Sequence, residues 1–100
     1  MAEDMAKGYW IAMIDIVNAE KYSEYTAKNG AVFAEYGAAF VVRGGQNEAR
    51  AGHGFQRHVV LEFESYERAK ACYDSAAYQA IVPIRDAGAK VTLAIVEGHA

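Results

Sequence analysis

The chain has few of the residues that mark disulfide-rich or membrane-bound proteins. It contains a single cysteine, Cys72, so an internal disulfide is excluded and a reducing compartment is expected. No apolar run approaches the roughly 20 residues that a membrane-spanning helix needs. Residues 1–7 include Glu3 and Asp4 and lack the apolar stretch of a signal peptide. These features predict a cytoplasmic protein with no membrane partner.

Basic blocks and metal-ligand patterns are also missing. The formal net charge is -3, and acidic and basic residues are spread evenly along the chain, which argues against a nucleic-acid partner. His53, His58 and His99 do not have the spacing of metal ligands. The order of residues contains no nucleophile elbow and no nucleotide-binding loop. We therefore expect neither a metal nor an organic cofactor.

Alternating and helical periods follow one another in the order of one small fold. Period-2 patterns predict strands at Gly8–Ile16, Ala39–Arg43, Arg57–Phe63 and 91–97, and helical patterns occupy 18–36 and the segment that opens at Ser65. This order, β-α-β-β-α-β, is the ferredoxin-like unit. We predict an α+β domain over residues 1–100, with its core at about 7–98 and a four-stranded antiparallel sheet in the order 4-1-3-2.

Two features predict interruptions in the helices. Asp74 and Ser75 favour a break in the second helical segment, and Pro83, the single proline, predicts a kink within residues 76–89. Gly30 lies inside the first helix and weakens it by roughly 1 kcal/mol relative to alanine. The polar stretch 46–56 predicts a long loop between the second and third strands.

The strands divide into two faces, and the helices can cover only one of them. The helix-facing set is Trp10, Ala12, Ile14 and Ile16 with Arg57, Val59, Leu61 and Phe63. The opposite set is Tyr9, Ile11, Met13 and Asp15 with His58, Val60, Glu62 and Glu64. Because Ile11, Met13 and Val60 would leave an apolar patch in water, we predict a homodimer that pairs through this open face.

A group of polar residues is predicted at one edge of the sheet. Antiparallel pairing of the first and third strands brings Asp15 near His58, Arg43 ends the neighbouring strand, and His53 lies in the loop above. His58 is a candidate catalytic base, Asp15 its orienting carboxylate, and Arg43 and His53 are candidate ligand contacts. The alternative, which is more common, is an exposed or interface ion pair at the strand ends.

Glu62 and Tyr9 on the open face are further candidate ligand contacts. A carboxylate in the middle of this face either pairs across a dimer interface or lines a wet cavity, and pairing is favoured because buried charges are usually paired. The tyrosines at helical spacing are expected in the core, with some hydroxyls pointing into a pocket between helix and sheet. Cys72 is expected to be a small core residue.

Several segments together resemble a family of small bacterial proteins, domain-of-unknown-function family 1330. The matching segments include Lys7-Gly8-Tyr9-Trp10-Ile11, Phe40-Val41-Val42-Arg43-Gly44-Gly45, Val59-Val60-Leu61-Glu62-Phe63 and Tyr73-Asp74-Ser75 with Tyr78-Gln79. The resemblance extends over about residues 7–98 and implies a ferredoxin-like fold and a dimeric α/β barrel. It implies no reaction, and wider fold relatives include cofactor-independent monooxygenases, haem-degrading enzymes, lactone isomerases and ligand-binding modules.

Three functions are therefore open at the level of sequence. The first is a small-molecule binding protein with its site in the barrel or between helices and sheet. The second is a cofactor-independent enzyme, monooxygenase-like or isomerase-like, that acts on a small enolisable or aromatic compound. The third is a dimer with a purely structural or interaction role. The positions of the polar side chains relative to a pocket distinguish them.

Overall fold

The computed structural model describes residues 6–100, so the prediction about a signal peptide falls mostly outside the described residues. The elements are β1 (Gly8–Ile16), α1 (Ala19–Glu35), β2 (Ala39–Arg43), β3 (Arg57–Phe63), α2 (Tyr66–Asp74), α3 (Ala76–Gly88) and β4 (Ala89–Glu97). The four strands form one antiparallel sheet in the order β2-β3-β1-β4. This confirms the ferredoxin-like arrangement. No helix in this part of the chain has the length and apolar character to cross a membrane.

Side chains at the helix starts explain where the helices begin. The Asn18 side chain accepts a hydrogen bond from the Lys21 N–H (3.1 Å), which satisfies a free donor in the first turn of α1. Ser65 does the same for α2, and Ser75 accepts from the Tyr78 N–H (3.2 Å) at the start of α3. Ser75 therefore both ends α2 and begins α3, which confirms the predicted break.

The interruption predicted at Pro83, with a short helical piece on either side of it, is absent, and that prediction was wrong. α3 runs without interruption from Ala76 to Gly88 with Pro83 inside it. Pro83 and Gln79, four residues earlier, are both exposed, so the carbonyl that loses its backbone donor is near water. The opposite side of α3 is anchored in the core by Tyr78 and Ile81, and this burial outweighs the local preference. β4 also begins two residues earlier than expected, at Ala89.

The helix-facing side of the sheet is centred on Trp10. Its ring lies 5.0–5.5 Å from four aromatic rings, and its indole N–H donates to the Ala69 carbonyl at 2.8 Å. Those rings belong to Phe33, Phe63, Tyr73 and Tyr78, which come from α1, β3, α2 and α3 respectively. One side chain of β1 thus joins every helix to the sheet.

The other side of the sheet is not covered by any helix among residues 6–100. Ile11 is 40% exposed, and in the sheet it lies between Val60 on β3 and Ala94 on β4. Val42 and Val96 extend the apolar surface and are each 39% exposed. The division of the strands into a buried and an open face is therefore as the alternation predicts.

Two glycines offer a matched test of how closely the elements approach. A Cβ on Gly88 would overlap the backbone of Tyr22, and the Gly88 carbonyl accepts from the N–H groups of Val17 (2.9 Å) and Asn18 (3.0 Å). We expect Gly88→Ala to lower the free energy of unfolding by about 1–3 kcal/mol, because α3 and α1 would have to separate. Urea unfolding followed by circular dichroism measures this change.

Gly30→Ala is the control for the same chemical change. No atom lies within 4 Å of a Cβ built on Gly30, in the middle of α1. This variant should gain about 0.4–1 kcal/mol, because alanine restricts the unfolded chain and favours the helix. Equal effects of the two substitutions would contradict the close packing at Gly88.

Candidate functional site

A cavity of about 380 Å³ lies on the helix-facing side of the sheet, within the size range of small-molecule pockets. Its floor is apolar and comes from the strands: Trp10, Ala12, Ile14, Ile16, Val59, Leu61, Val91 and Leu93. Its roof comes from α1, where Tyr22, Tyr25, Thr26, Asn29 and Phe33 recur at the spacing of one helix face. The cavity thus lies where the sequence predicted a pocket between helix and sheet.

A chain of hydrogen bonds leads from the surface to the inner end of the cavity. Arg85 is only 9% exposed. Its Nε donates a hydrogen bond to the Asp86 carboxylate (3.0 Å), and its Nη1 donates to the hydroxyls of Tyr73 (3.3 Å) and Tyr78 (3.2 Å). The Tyr78 hydroxyl lies 2.7 Å from that of Tyr25, which lines the cavity. The chain therefore connects a buried guanidinium with a phenol on the cavity wall.

Burial and hydrogen bonding favour one protonation state for each of Arg85, Tyr25 and Tyr78. Burial by itself would lower the pKa of Arg85, but the hydrogen bonds to Tyr73, Asp86 and Tyr78 outweigh it and the pKa is raised. Burial is the main cause that raises the pKa of Tyr25 and of Tyr78. Arg85 is thus favoured as a cation, and Tyr25 and Tyr78 as neutral phenols.

Two further arginines, Arg43 and Arg57, line the same cavity. Successive side chains of β3 point to opposite faces of the sheet, and Arg57, which pairs with Ile14, lies on the helix side. A register shift between Phe40 and Val42 puts Arg43 opposite Val59, also on the helix side, with its guanidinium 4.3 Å from the Phe40 ring centre. Arg43 was predicted beside His58, and this placement corrects that prediction, since the extra residue of the bulge reverses the side on which it projects.

Neither of these arginines has an acidic partner among residues 6–100. The Arg57 Nε is buried and, within the same residues, has no hydrogen-bond acceptor. Gly44, in the left-handed conformation (φ 66°), packs directly on the Arg57 guanidinium, and a Cβ there would overlap it. The arginine is held in position by the backbone while its donors stay available.

Asp15 is bound by the loop before β3 and not by His58. Its Oδ2 lies 2.6 Å from the Nε2 of His53, and its Oδ1 accepts from the Gln56 N–H at 2.9 Å. The register pairs Met13 with His58, so Asp15 lies two residues further along β1, beyond the first residue of β3. The predicted contact between Asp15 and His58 is therefore replaced by one with His53.

The bonds to Asp15 stabilise its charged form. The hydrogen bond with His53, and then the one from the Gln56 N–H, hold the pKa of the Asp15 carboxyl below its usual value of 3.8. His53 is largely exposed, with 64% of its side chain in contact with solvent. This pair secures the long loop to the edge of the sheet, and neither of its residues lines the cavity.

His58 lies apart from both groups. It projects on the open face opposite Met13, and its Nδ1 is buried without a partner in residues 6–100. Neither Asp15 nor Arg43 forms a hydrogen bond with it in that part of the chain. The structure thus distributes the four predicted residues over three places, and their catalytic or binding roles stay predictions.

Tyr9 and Glu62 form a pair on the open face. They are opposite each other on β1 and β3, and the Tyr9 hydroxyl donates to the Glu62 carboxylate at 2.8 Å. This hydrogen bond is the main cause that raises the pKa of Tyr9. Glu62 therefore has a neutral hydrogen-bond partner inside its own chain, whereas the sequence predicted a partner across the dimer interface.

Several polar residues of the cavity were not predicted as functional, among them Arg57, Arg85 and Asn29. A signal was present in two of them, because Arg57 interrupts an otherwise apolar helix-facing set and Arg85 continues the buried stripe of Tyr78 and Ile81. A charge at a position that the period assigns to the core indicates a buried partner or a cavity. Cys72 was predicted correctly as a core residue, and burial raises the pKa of its thiol to about 12.

The contact of Asp15 with the loop predicts a pH dependence. A carboxyl whose pKa is lowered on folding contributes stability above its unfolded pKa, and that contribution is lost as the pH falls through the folded pKa. We expect Asp15→Asn to be less stable than wild type at about pH 6, with the difference shrinking below about pH 4. Thermal unfolding across this pH range measures it.

Asp74→Asn serves as the control, since Asp74 is an exposed carboxylate at the end of α2. It should differ little from wild type over the same range. A difference for Asp15→Asn that stays constant with pH would contradict the role of the charged carboxylate.

Comparisons with known proteins bear on the family and the fold. Residues 7–99 match the model of a family described as a domain of unknown function, DUF1330. A search of curated proteins gives no match.

Several solved structures have the same fold at low sequence identity. A protein of unknown function from Rhodopseudomonas palustris is 16% identical, with a TM-score of 0.78 over 95% of this chain and 84% of the other. SnoaB, a cofactor-independent oxygenase from Streptomyces nogalater, is 9% identical, with a TM-score of 0.63 over 95% of both chains. A dimeric ferredoxin-like protein of unknown function from Thermobifida fusca is 14% identical, with a TM-score of 0.63 over 93% of this chain and 92% of the other. At these identities the likeness concerns the fold alone.

Proposed function

Because this chain belongs to the DUF1330 family, whose function is unknown, we propose a function from its own cavity: it binds a small, mainly apolar molecule between helices and sheet. The observation that carries the proposal is an apolar cavity of about 380 Å³ whose wall includes a buried cation, Arg85. Binding sites for small molecules have this composition, with many apolar groups and a few directed polar ones. We include in the proposal that residues 7–98 act as one ferredoxin-like domain.

The polar groups on the cavity wall indicate a binding site and not a defect in packing. A core that is merely underfilled costs stability and has no reason to expose charged groups. Here Arg85 is neutralised by Asp86 and hydrogen-bonded to two phenols, so its position is set before any ligand arrives. Side chains held in advance lose little entropy when a ligand binds.

We also propose that the protein acts as a homodimer through the open sheet face. The apolar side chains Ile11, Val42 and Val96 are 39–40% exposed in the single chain, and a second copy would cover them. The similar structure from Thermobifida fusca is described as dimeric. The Tyr9–Glu62 pair leaves the Glu62 carboxylate hydrogen-bonded inside its own chain, which lowers the cost of placing it in such an interface.

An enzymatic function is the second candidate, and the likeness to the oxygenase SnoaB is the observation in its favour. The positions of the possible catalytic bases argue against an enzymatic function. The described residues that line the cavity include phenols and guanidiniums but no histidine or carboxylate, and His58 projects on the other face of the sheet. A general base has to lie within hydrogen-bonding reach of its substrate, so binding without catalysis is the better supported function.

Binding in this cavity is tested with a neutral fluorescent probe, N-phenyl-1-naphthylamine. We expect its emission to rise with wild type, and Leu93→Trp to remove most of that rise because the larger ring fills the cavity from β4. Val91→Phe is a second filling variant, in case Leu93→Trp does not fold. Fluorescence titration gives the affinity, and circular dichroism checks the fold.

Ala27→Trp is the control, because Ala27 is exposed on α1 and does not line the cavity. It adds the same ring as Leu93→Trp and should bind the probe like wild type. Equal binding by the filled variants and wild type would place the probe elsewhere and overturn the proposed site.

The dimer is tested with Ile11→Glu. A charge in the middle of the open face should convert a species of twice the chain's 10.9 kDa into a monomer, because two unpaired carboxylates would be buried at a symmetric contact. Ala27→Glu adds the same charge on α1 and should stay dimeric. Size exclusion with light scattering measures the mass, and a monomeric wild type at micromolar concentration would rule the dimer out.

A further inference from the structure

We infer that the ligand of the cavity is an organic anion, with its charged group held between Arg43 and Arg57 and its apolar body directed inward to Tyr25. The inference rests on the proposed function and specifies the ligand class for that site. It follows from three observations: two arginines without acidic partners among residues 6–100, a buried donor without an acceptor in the same residues, and a phenol hydroxyl at the inner end.

The two arginines have the same sign of charge and face the same space. Arg43 is opposite Val59 and Arg57 is two residues from Val59, so both side chains project from neighbouring strands on the helix side. In residues 6–100 no carboxylate lies within 4.0 Å of either guanidinium. Two cations placed together favour an anion between them, and guanidinium groups bind carboxylates through two parallel hydrogen bonds.

The Arg57 Nε supplies the second observation. A buried donor without an acceptor is uncommon in folded proteins and calls for a partner. The backbone of Gly44 lies against the guanidinium of Arg57, where a Cβ would overlap it. An anion bound at the fork of Arg57 would provide the missing acceptor.

The inner end of the cavity presents the phenol hydroxyl of Tyr25. A guanidinium can only donate, so the Tyr78 oxygen accepts from Arg85, and either oxygen can be the donor in the 2.7 Å hydrogen bond between Tyr78 and Tyr25. The Tyr25 hydroxyl, which can both donate and accept, lies on the cavity wall together with Asn29. A hydroxyl group at the far end of the ligand would bond to it in either direction.

These features together describe an apolar compound with an anionic group at one end and a hydroxyl group at the other. We use 6-hydroxy-2-naphthoate as the probe, 6-hydroxy-2-naphthamide as its neutral counterpart of the same shape, and 2-naphthoate as the analogue without the far oxygen. Each competes with N-phenyl-1-naphthylamine in the wild-type protein, and isothermal calorimetry checks the affinities.

We expect the hydroxynaphthoate to bind roughly 10- to 100-fold more tightly than the amide, the range for a hydrogen bond to a charged group. Arg57→Gln and Arg43→Gln should each reduce this preference and leave the affinity of the amide nearly unchanged. Arg50→Gln is the matched control: Arg50 pairs with Glu48 in the exposed loop (3.4 Å), so the variant changes the net charge equally without touching the cavity. It should keep the full preference.

Tyr25→Phe tests the inner end. It should abolish the preference for 6-hydroxy-2-naphthoate over 2-naphthoate and leave the preference for the anion over the amide. Because both comparisons are ratios measured on the same variant, partial loss of folded protein does not alter them. An unchanged preference for the hydroxyl compound in Tyr25→Phe would overturn the assignment of Tyr25.

Failure of this inference is distinguishable from failure of the proposed function. If the neutral probe binds in the cavity but the naphthoate and the amide compete equally, the anionic ligand class is wrong and the binding function stands. The anionic class is equally wrong if Arg50→Gln reduces the preference as much as Arg57→Gln does. If Leu93→Trp leaves binding of the neutral probe unchanged, the cavity is not the site and both proposals fail.

Discussion

The contacts of Trp10 determine how the layers of this protein meet. The side chain is buried, its indole N–H is bonded to the backbone of α2, and rings from α1, α2, α3 and β3 surround it. Aromatic groups in tilted and edge-to-face contacts pack tightly and do not slide past one another easily. The cavity lies next to this cluster and shares Trp10 as part of its floor. The position of the helices over the sheet, and so the shape of the cavity, depends on that one residue.

The two faces of the sheet differ in what they leave unsatisfied. On the helix side the apolar surface is covered, and what lacks partners in the described chain is polar: the guanidinium groups of Arg43 and Arg57. On the open side the polar pair Tyr9 and Glu62 is satisfied, the buried Nδ1 of His58 lacks a partner in residues 6–100, and the exposed side chains Ile11, Val42 and Val96 are apolar. Unsatisfied charge attracts an ion, whereas uncovered apolar area attracts another surface. This contrast is why we assign a small ligand to one face and a second chain to the other.

The register of the strands determines which of the predicted polar residues lie next to each other. Alternation places Asp15 and His58 correctly on the open face, but it does not say which residues are opposite each other. The actual pairing of Met13 with His58 moves Asp15 beyond the end of β3, where His53 of the loop reaches it. For Arg43, alternation also fails to predict the face of the sheet on which the side chain lies. One extra residue in β2 turns its side chain to the helix side, and nothing in the local pattern of Phe40 to Arg43 marks that bulge.

The sequence by itself determined the order of the elements, the helix starts at Asn18, Ser65 and Ser75, and the face of each residue on β1 and β3. These depend on period and capping, which are local properties. Only the tertiary structure decided the continuity of α3 through Pro83, the partner of Asp15, and the meeting of Arg43, Arg57 and Tyr25 around one cavity. These residues come from β2, β3 and α1, and their proximity depends on register and packing across the whole chain. The site is therefore a product of long-range contacts, which no local pattern contains.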